Sequence, residues 1–459
     1  MDTERQKTTA TRHETHITTG QRLAWIGTAL MLLALGAHFY RAGNIPFVIC
    51  TLGFLLLHAS RALWAHYVVG FFLAWGVMEW GQTAQGLIAM RMQLGAPWLR
   101  GVMILSVVAA CTALASAHML TKAHSRDRER PGNPARTQAA AFILTFAGLY
   151  ALRHAAVPGL FLLERLFPFW GGGTQLFLLS CYAALVAGKL SSPRSARKTR
   201  KAVWVFFSCV FFAQIAIGLI AEHPALAAEN PHLPFPGLIV FGPVYRGGLG
   251  MMPFLALTAV VLTGSAWCSM LCYFGPLDSL AAGKKPVKTP PPFLIPLLRY
   301  GRLTVLLLGL AVAAALRYSG ASPGYTITAA TLFSVVSLIA LLFFSRRYTG
   351  MLHCTTICPM GLVINVLSRI SPWRIRLDAG RCTDCGACEA VCLYRAIDGK
   401  ARATGGASYR CSLCRDCVAA CPHDALSLRN PLLPPRAAGP VFTVLVVFLH
   451  VLFLTAVRP

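Results

Sequence analysis

Charge is scarce in this chain. Only 13% of its residues are Asp, Glu, Lys or Arg, against 56% hydrophobic, and acidic groups are fewest, 16 against 42 basic ones. That balance is a membrane-protein profile and argues against an ordinary soluble domain. A cleavable leader is also missing. The first 22 residues are polar and mixed in charge, and 23–40 is too long and too poorly flanked for a signal core, so the chain is expected to insert through its own first span. Nor is there any nucleic-acid-binding module, although a net charge of +26 invites that idea. The excess lies in short loops beside apolar stretches, where it orients spans and attracts anionic headgroups. Membrane lipid is the expected partner, and nucleic acid is not.

Long apolar stretches, by contrast, are abundant. They cover 23–40, 44–60, 62–80, 101–119, 139–156, 174–190, 202–220, 251–272, 298–316, 327–345 and 441–457. A span takes ~20 mainly apolar residues. The pair 44–60 and 62–80 meets at Arg61 and reads as a tight hairpin or one broken element, so the expectation is ten or eleven helices. Lys- and Arg-rich short loops stay in the cytoplasm. Three loops qualify: 120–138 (Lys122, Arg126, Arg128, Arg130, Arg136), 191–201 (Arg194, Arg197, Lys198, Arg200, Lys201) and 284–288 (Lys284, Lys285, Lys288). With eleven spans and the N-terminus inside, all three fall on that face, together with 346–438. The expected localisation is a bacterial cytoplasmic membrane.

Cysteine carries the chemistry. Cys382, Cys385, Cys388 and Cys392 form one C-x2-C-x2-C-x3-C run, and Cys411, Cys414, Cys417 and Cys421 a second. In this bacterial ferredoxin spacing three close thiolates hold one 4Fe-4S cluster and the fourth reaches across to the other. The expected sets are Cys382, Cys385, Cys388 and Cys421 for one cluster, and Cys411, Cys414, Cys417 and Cys392 for the other. Zinc also takes C-x2-C pairs, but two four-cysteine runs go beyond a zinc ribbon. Both motifs face a reducing compartment in the expected topology, where thiols stay free for metal. The segment 375–430 is small enough to depend on its metal for stability. A pseudo-twofold βαβ form is expected there, with the x3 cysteines opening short helices. Arg381 and Arg415, beside ligands, could raise a cluster's potential.

Four more cysteines form matched pairs. Cys268 and Cys272, then Cys354 and Cys358, both read C-x3-C-x2-G, and each pair follows an outgoing and a returning span. Residues i and i+4 share a helix face, so each pair could point together and bind a further metal centre or cycle as redox thiols. The remaining cysteines, Cys50, Cys111, Cys181 and Cys209, lie singly in apolar stretches and read as small hydrophobes.

Taken together these motifs resemble the membrane-bound polyferredoxins. That group includes the quinol-dehydrogenase ferredoxin subunit of periplasmic nitrate reductase systems, the membrane half of the nitrous-oxide reductase regulators and the cytochrome oxidase accessory ferredoxins. The resemblance covers roughly 200–430. It implies an oxidoreductase component that transfers electrons between the quinone pool and a partner redox protein, with clusters on the cytoplasmic side. Tyr273 and Leu393 stand where that pattern has proline, and 1–200 has no counterpart in the small nitrate-reductase subunit.

The other polar groups are few. His58, His66 and His118 fall near cytoplasmic span ends and His38 and His154 towards the outside; interfacial hydrogen bonding is favoured over a b-type haem. The outer loop 221–250 holds Glu222, His223, Glu229, His232, Tyr245 and Arg246, residue types a quinol site uses, but a rigid Pro-rich connection is the favoured account. The expected fold is an all-α polytopic membrane protein with a small α+β ferredoxin domain carrying two 4Fe-4S clusters. Its parts are a tail (1–22), a membrane domain of unknown role (23–200), the two cysteine hairpins (201–374), the ferredoxin domain (375–430), and a linker with a last span (431–459). The expected function is electron transfer between quinol and a partner protein. Maturation of a respiratory metalloenzyme and redox sensing are the alternatives.

Overall fold

The computed structural model describes residues 19–60, 62–130, 132–155, 161–220, 235–283, 287, 291–348 and 350–456. Residues 1–18 of the expected tail 1–22, the loop residues Glu222, His223, Glu229 and His232, and Lys284, Lys285 and Lys288 lie outside them; residues 19–22 of that tail belong to the first helix. Helices dominate: α1 (Thr19–Arg41), α2 (Ile45–Ala59), α3 (Leu63–Gln93), α4 (Leu99–Arg128), α5 (Ala135–His154), α6 (Leu162–Leu166), α7 (Gly171–Ser191), α8 (Pro193–Ile220), α9 (Leu238–Arg246), α10 (Met251–Thr263), α11 (Gly275–Ala282), α12 (Leu294–Tyr318), α13 (Pro323–Ala340), α14 (Arg346–Tyr348), α15 (Pro359–Leu367), α16 (Ala387–Ala390), α17 (Gly399–Ala403), α18 (Asp416–Ala420) and α19 (Pro435–Ala456). Two strands, β1 (Arg374–Leu377) and β2 (Leu426–Arg429), pair antiparallel.

Among the described residues, eight helices are long and apolar enough to cross a membrane: α1, α4, α7, α8, α12, α19, and α10 and α13 with the turns that extend them. The other three expected stretches are helical but fall outside those eight. At 15 residues, α2 is ~22 Å long against a ~30 Å hydrocarbon core. Glu79, Gln82 and four glycines dilute α3, and Gln138, Gly148 and Arg153 dilute α5.

The structure divides into two compact units, Met1–Asn133 and Pro134–Pro459. In this division α5, α6 and α7 group with the cysteine-bearing part. In the first unit small residues let helices approach closely, as membrane packing requires. Ser116 on α4 donates to the Gly70 carbonyl on α3 at 2.8 Å, and a Cβ at Gly70 would meet Leu120 at 2.7 Å. Phe54 stacks on Phe72 with centroids 3.9 Å apart, beside Phe39, Phe47 and Trp75.

In the second unit α5, α7 and α19 pack together. His450, buried on α19, hydrogen-bonds Tyr182 on α7 at 3.0 Å. The ferredoxin segment is closed by the two strands, in register Ile375 to Leu428 and Leu377 to Leu426, which bury Ile375, Leu426 and Leu428. Its short helices differ from expectation. Cys388 and Cys417 lie inside α16 and α18, whereas Cys392 and Cys421 follow those helices rather than open them.

The tight α3–α4 crossing makes a prediction. Gly70→Val should cost about 1–3 kcal/mol by overpacking Leu120, read as a lowered thermal midpoint of the detergent-solubilised protein. Gly81→Val, where a Cβ meets nothing within 4 Å, should leave the midpoint nearly unchanged.

Candidate iron–sulfur centres

Each C-x3-C pair is built on a π-turn, not on the α-helix expected from i, i+4 spacing. The turns are Trp267–Leu271 and His353–Ile357, and the second cysteine of each pair caps its turn in extended conformation. Cys272 N–H donates to the Trp267 carbonyl at 2.9 Å, and Cys358 N–H to His353 at 3.0 Å. The two hairpins therefore share one local geometry, with Tyr273 accommodated where the other has Pro359. Tyr273 stacks on Phe211, with centroids 3.7 Å apart.

Non-helical backbone at a span end leaves carbonyls without intrahelical partners. Here side chains converge on them. Arg200, Trp204 and Ser208, four apart along one face of α8, donate to the carbonyls of Ser269 (3.2 Å), Cys272 (2.8 Å) and Tyr273 (2.6 Å). Tyr394 donates to Cys268 at 2.7 Å, and His450 reaches Met270 at 3.3 Å. The turn also holds the ferredoxin segment. Ser269 donates to the Ser412 carbonyl at 2.7 Å and Ser265 to that of Cys411. Arg200 forms a buried bidentate pair with Asp416, at 2.9 and 2.7 Å, beside Cys417.

The second turn has its own anchor. Buried Asp278 on α11 accepts from Cys354 N–H at 2.8 Å and from the Ser345 hydroxyl at 2.5 Å. Burial pushes its carboxyl up to about 6. His353 is buried between Phe235 and Phe274 with both ring nitrogens unpaired, and burial lowers it to about 3, so it is neutral.

The cysteines gather around three cavities. Cys382, Cys385, Cys388 and Cys421 line one, at the exposed Cys385. Cys392, Cys411, Cys414 and Cys417 line a second, deeper one. Three ligands from one run thus meet the fourth of the other. Cys268, Cys272, Cys354 and Cys358 line the third, with Arg302 and Arg410. Tyr394 and Ser412 form walls of both the second and third cavities.

The donor set and backbone fit iron–sulfur clusters. In the first run Asp384, Gly386 and Arg395 have positive φ, and their counterparts Leu413, Arg415 and Asp424 in the second run do too. Non-glycine residues in that region are strained, and the repeat of the strain at matched positions curls each loop around its cavity. Backbone N–H groups of Leu413, Ala396 and Ala425 donate to the sulfurs of Cys411, Cys392 and Cys421 at 3.4, 3.2 and 3.4 Å. Burial pushes the Cys392, Cys411 and Cys417 thiols up, and Cys414 to about 11, so a metal's charge is what would hold them as thiolates. Among the described residues no three His, Cys, Asp or Glu side chains converge enough for a single metal ion. Eight cysteines divided between two cavities are the donor set that two 4Fe-4S clusters would take.

Other expected residues take structural roles. Arg415 stacks on Phe442 and donates to Thr443 at 3.2 Å, packing against α19. Arg381 pairs with Asp378 at the surface, where solvent screens it. His58 and His66 bond backbone carbonyls at 3.1 and 3.0 Å, His38 lies 3.6 Å from Glu79, and His154 packs on Tyr150. Tyr245 donates to the Ala321 carbonyl at 3.3 Å and so ties α9 to the turn after α12. Cys50 is buried, while Cys111, Cys181 and Cys209 stand apart from the three cavities. Arg302, Arg410, Asp278, Asp416 and Tyr394 were missed as site residues. Arg302 alone carried a signal, being a charge inside the apolar stretch 298–316.

Breaking the Arg200–Asp416 pair should expose its worth. Arg200→Leu strands a buried carboxylate, at a cost of about 3–5 kcal/mol, and should free the segment 375–430 for rapid proteolysis. Arg200→Leu with Asp416→Leu should recover part of that protection.

Comparison with known proteins points the same way. A family described as "4Fe-4S binding domain" matches residues 246–290 and 329–378, the two hairpins that carry Cys268, Cys272, Cys354 and Cys358. The chain is 36% identical over 124 residues to "Putative electron transport protein YccM" of Escherichia coli K12, which is 26% of this chain and 33% of that protein. It is 25% identical over 186 residues, 38% of this chain and 68% of the relative, to "Uncharacterized protein MJ0749" of Methanocaldococcus jannaschii. The chain thus spans about a third of the length of the first of these relatives. No solved structure matches it. The matched segments support an iron–sulfur protein of ferredoxin type, and eight of the described helices are long and apolar enough to cross a membrane.

Proposed function

We propose that this chain is a membrane electron carrier that takes electrons from quinol and delivers them to a partner redox protein through three 4Fe-4S centres. The observation that carries this is the series of cavities. Tyr394 and Ser412 wall both the hairpin cavity and the inner ferredoxin cavity, so the two are neighbours across these residues. The inner and outer cavities are joined through α16 and α18. Each of these helices carries a cysteine of one cavity and is followed by a cysteine of the other. Clusters of this kind carry one electron at a time. The chain's part is to fix their order, to keep water from the inner two, and to leave Cys385 exposed at the end where a soluble partner can approach. The description of the Escherichia coli relative as an electron transport protein agrees with this role.

Quinol releases two electrons and two protons on oxidation, so the electrons must leave singly along the series. The hairpin cavity, at the ends of the spans that carry it, is the entry that a membrane-dissolved donor can approach. We assign eleven spans, with α3 and α5 added to the eight and the 15-residue α2 crossing a locally thinned bilayer; the basic loops then put the ferredoxin segment in the cytoplasm.

Two outcomes test the proposal. Cys268→Ala with Cys354→Ala should remove about a third of the iron, leave the spectra of the other two centres intact, and slow quinol-driven reduction at least tenfold; an unchanged rate would sink the route. Cys417→Ser should instead remove the inner centre and destabilise the segment 375–430, because the metal framework replaces a core there. For orientation, a periplasm-active reporter should be silent after Arg436 and active at Ser322. The reverse pattern would put the centres outside.

A further inference from the structure

Arg302 is buried on α12, 7% exposed, inside a spanning helix. No hydrogen bond or ion pair among the described residues uses its guanidinium. It lines the hairpin cavity with all four cysteines. Gly361 makes the approach close: a Cβ there would lie 3.6 Å from Arg302 Nη1 and 3.9 Å from Cys358 Cβ. Arg410 lines the same cavity from the ferredoxin side, its guanidinium held by the Leu298 carbonyl at 3.0 Å. An unpaired buried guanidinium is strongly unfavourable unless an anion faces it. Asp278 on α11, which anchors the second turn, is engaged by Ser345 and the Cys354 N–H. Among the described residues that line the cavity, the groups able to face Arg302 with negative charge are the four cysteine sulfurs.

We infer that Arg302 is the counter-charge of an anionic iron–sulfur centre in the hairpin cavity and raises that centre's reduction potential. The inference rests on the three-centre reading above. Four thiolates outweigh the positive iron–sulfur core, so the assembly is anionic, and it becomes more so on gaining an electron. A fixed cation in a water-poor cavity stabilises the reduced form more than the oxidised one, and net charge is one of the levers that sets cluster potentials. A raised potential at the entry favours transfer from quinol, a weak reductant compared with low-potential ferredoxin donors. Arg302 is thus a positioning and tuning residue, distinct from the ligands.

The test is an electron paramagnetic resonance redox titration of the purified, fully loaded protein with Arg302→Gln and Arg302→Lys. At the potential where the wild-type hairpin centre is half reduced, Arg302→Gln should lower the reduced-to-oxidised ratio at least tenfold, which is 59 mV for a one-electron couple. Arg302→Lys should restore most of that shift, and the two ferredoxin-cavity centres should keep their midpoints. Loss of the hairpin iron in the Gln variant but not in the Lys variant would equally support a counter-charge. An unchanged midpoint in Arg302→Gln with full iron would overturn the inference, as would equal loss of iron in both variants, which marks a packing role. If Cys268→Ala with Cys354→Ala removes no iron from the otherwise wild-type protein, it is the three-centre reading that fails, and this inference with it.

Discussion

A lipid environment offers no hydrogen bonds, so any stretch of backbone that leaves the helix there must find its partners within the protein. The π-turn at 267–271 is where this chain meets that demand. Its outward carbonyls would be orphaned by the geometry that brings Cys268 and Cys272 together. Three side chains from one face of α8, one from α19 and one from the ferredoxin segment satisfy them. Those same bonds fix where α8, α19 and the ferredoxin segment stand. The polar requirement of a short turn thereby organises most of the second unit.

The turn also couples the two kinds of cysteine motif. Ser265 and Ser269 donate into the second ferredoxin run, and Asp416 is pinned by Arg200, a residue already bound to the turn. Isolated ion pairs at surfaces contribute little, but this one is buried on both sides, and so it specifies a single docking geometry more than it adds stability. Leu393 adds a further tie by accepting from Met351 N–H at 3.1 Å, beside the other hairpin. Both hairpins are therefore held against one end of the ferredoxin segment, while the cavity at Cys385 stays clear of them.

The first unit has a different character. His38, His58 and His66 are engaged with a glutamate, backbone carbonyls or neighbouring rings, which accounts for them as structural groups. Its tight crossings rest on Gly70 and Gly76, where a side chain would collide with Leu120 and Leu35.

The sequence by itself determined the apolar, membrane-spanning character, the positions of the apolar helices and which of the eight C-x2-C-x2-C-x3-C cysteines share a cavity, because these depend on local composition and on spacing along the chain. Span-length apolar runs become helices wherever they sit, and a C-x2-C-x2-C-x3-C loop can curl only a few ways. The boundary at Asn133, the π-turns and the sharing of walls between cavities were decided by tertiary structure. Spacing of i, i+4 suggested an α-helical face for Cys268 and Cys272. The actual turn exists only because Arg200, Trp204, His450 and Tyr394, distant in sequence, supply the bonds an α-helix would have made for itself. Arg302 shows the same limit: its sequence marks a charge inside an apolar stretch, but only the fold reveals that it shares a cavity with four cysteines and with no carboxylate among the described lining residues.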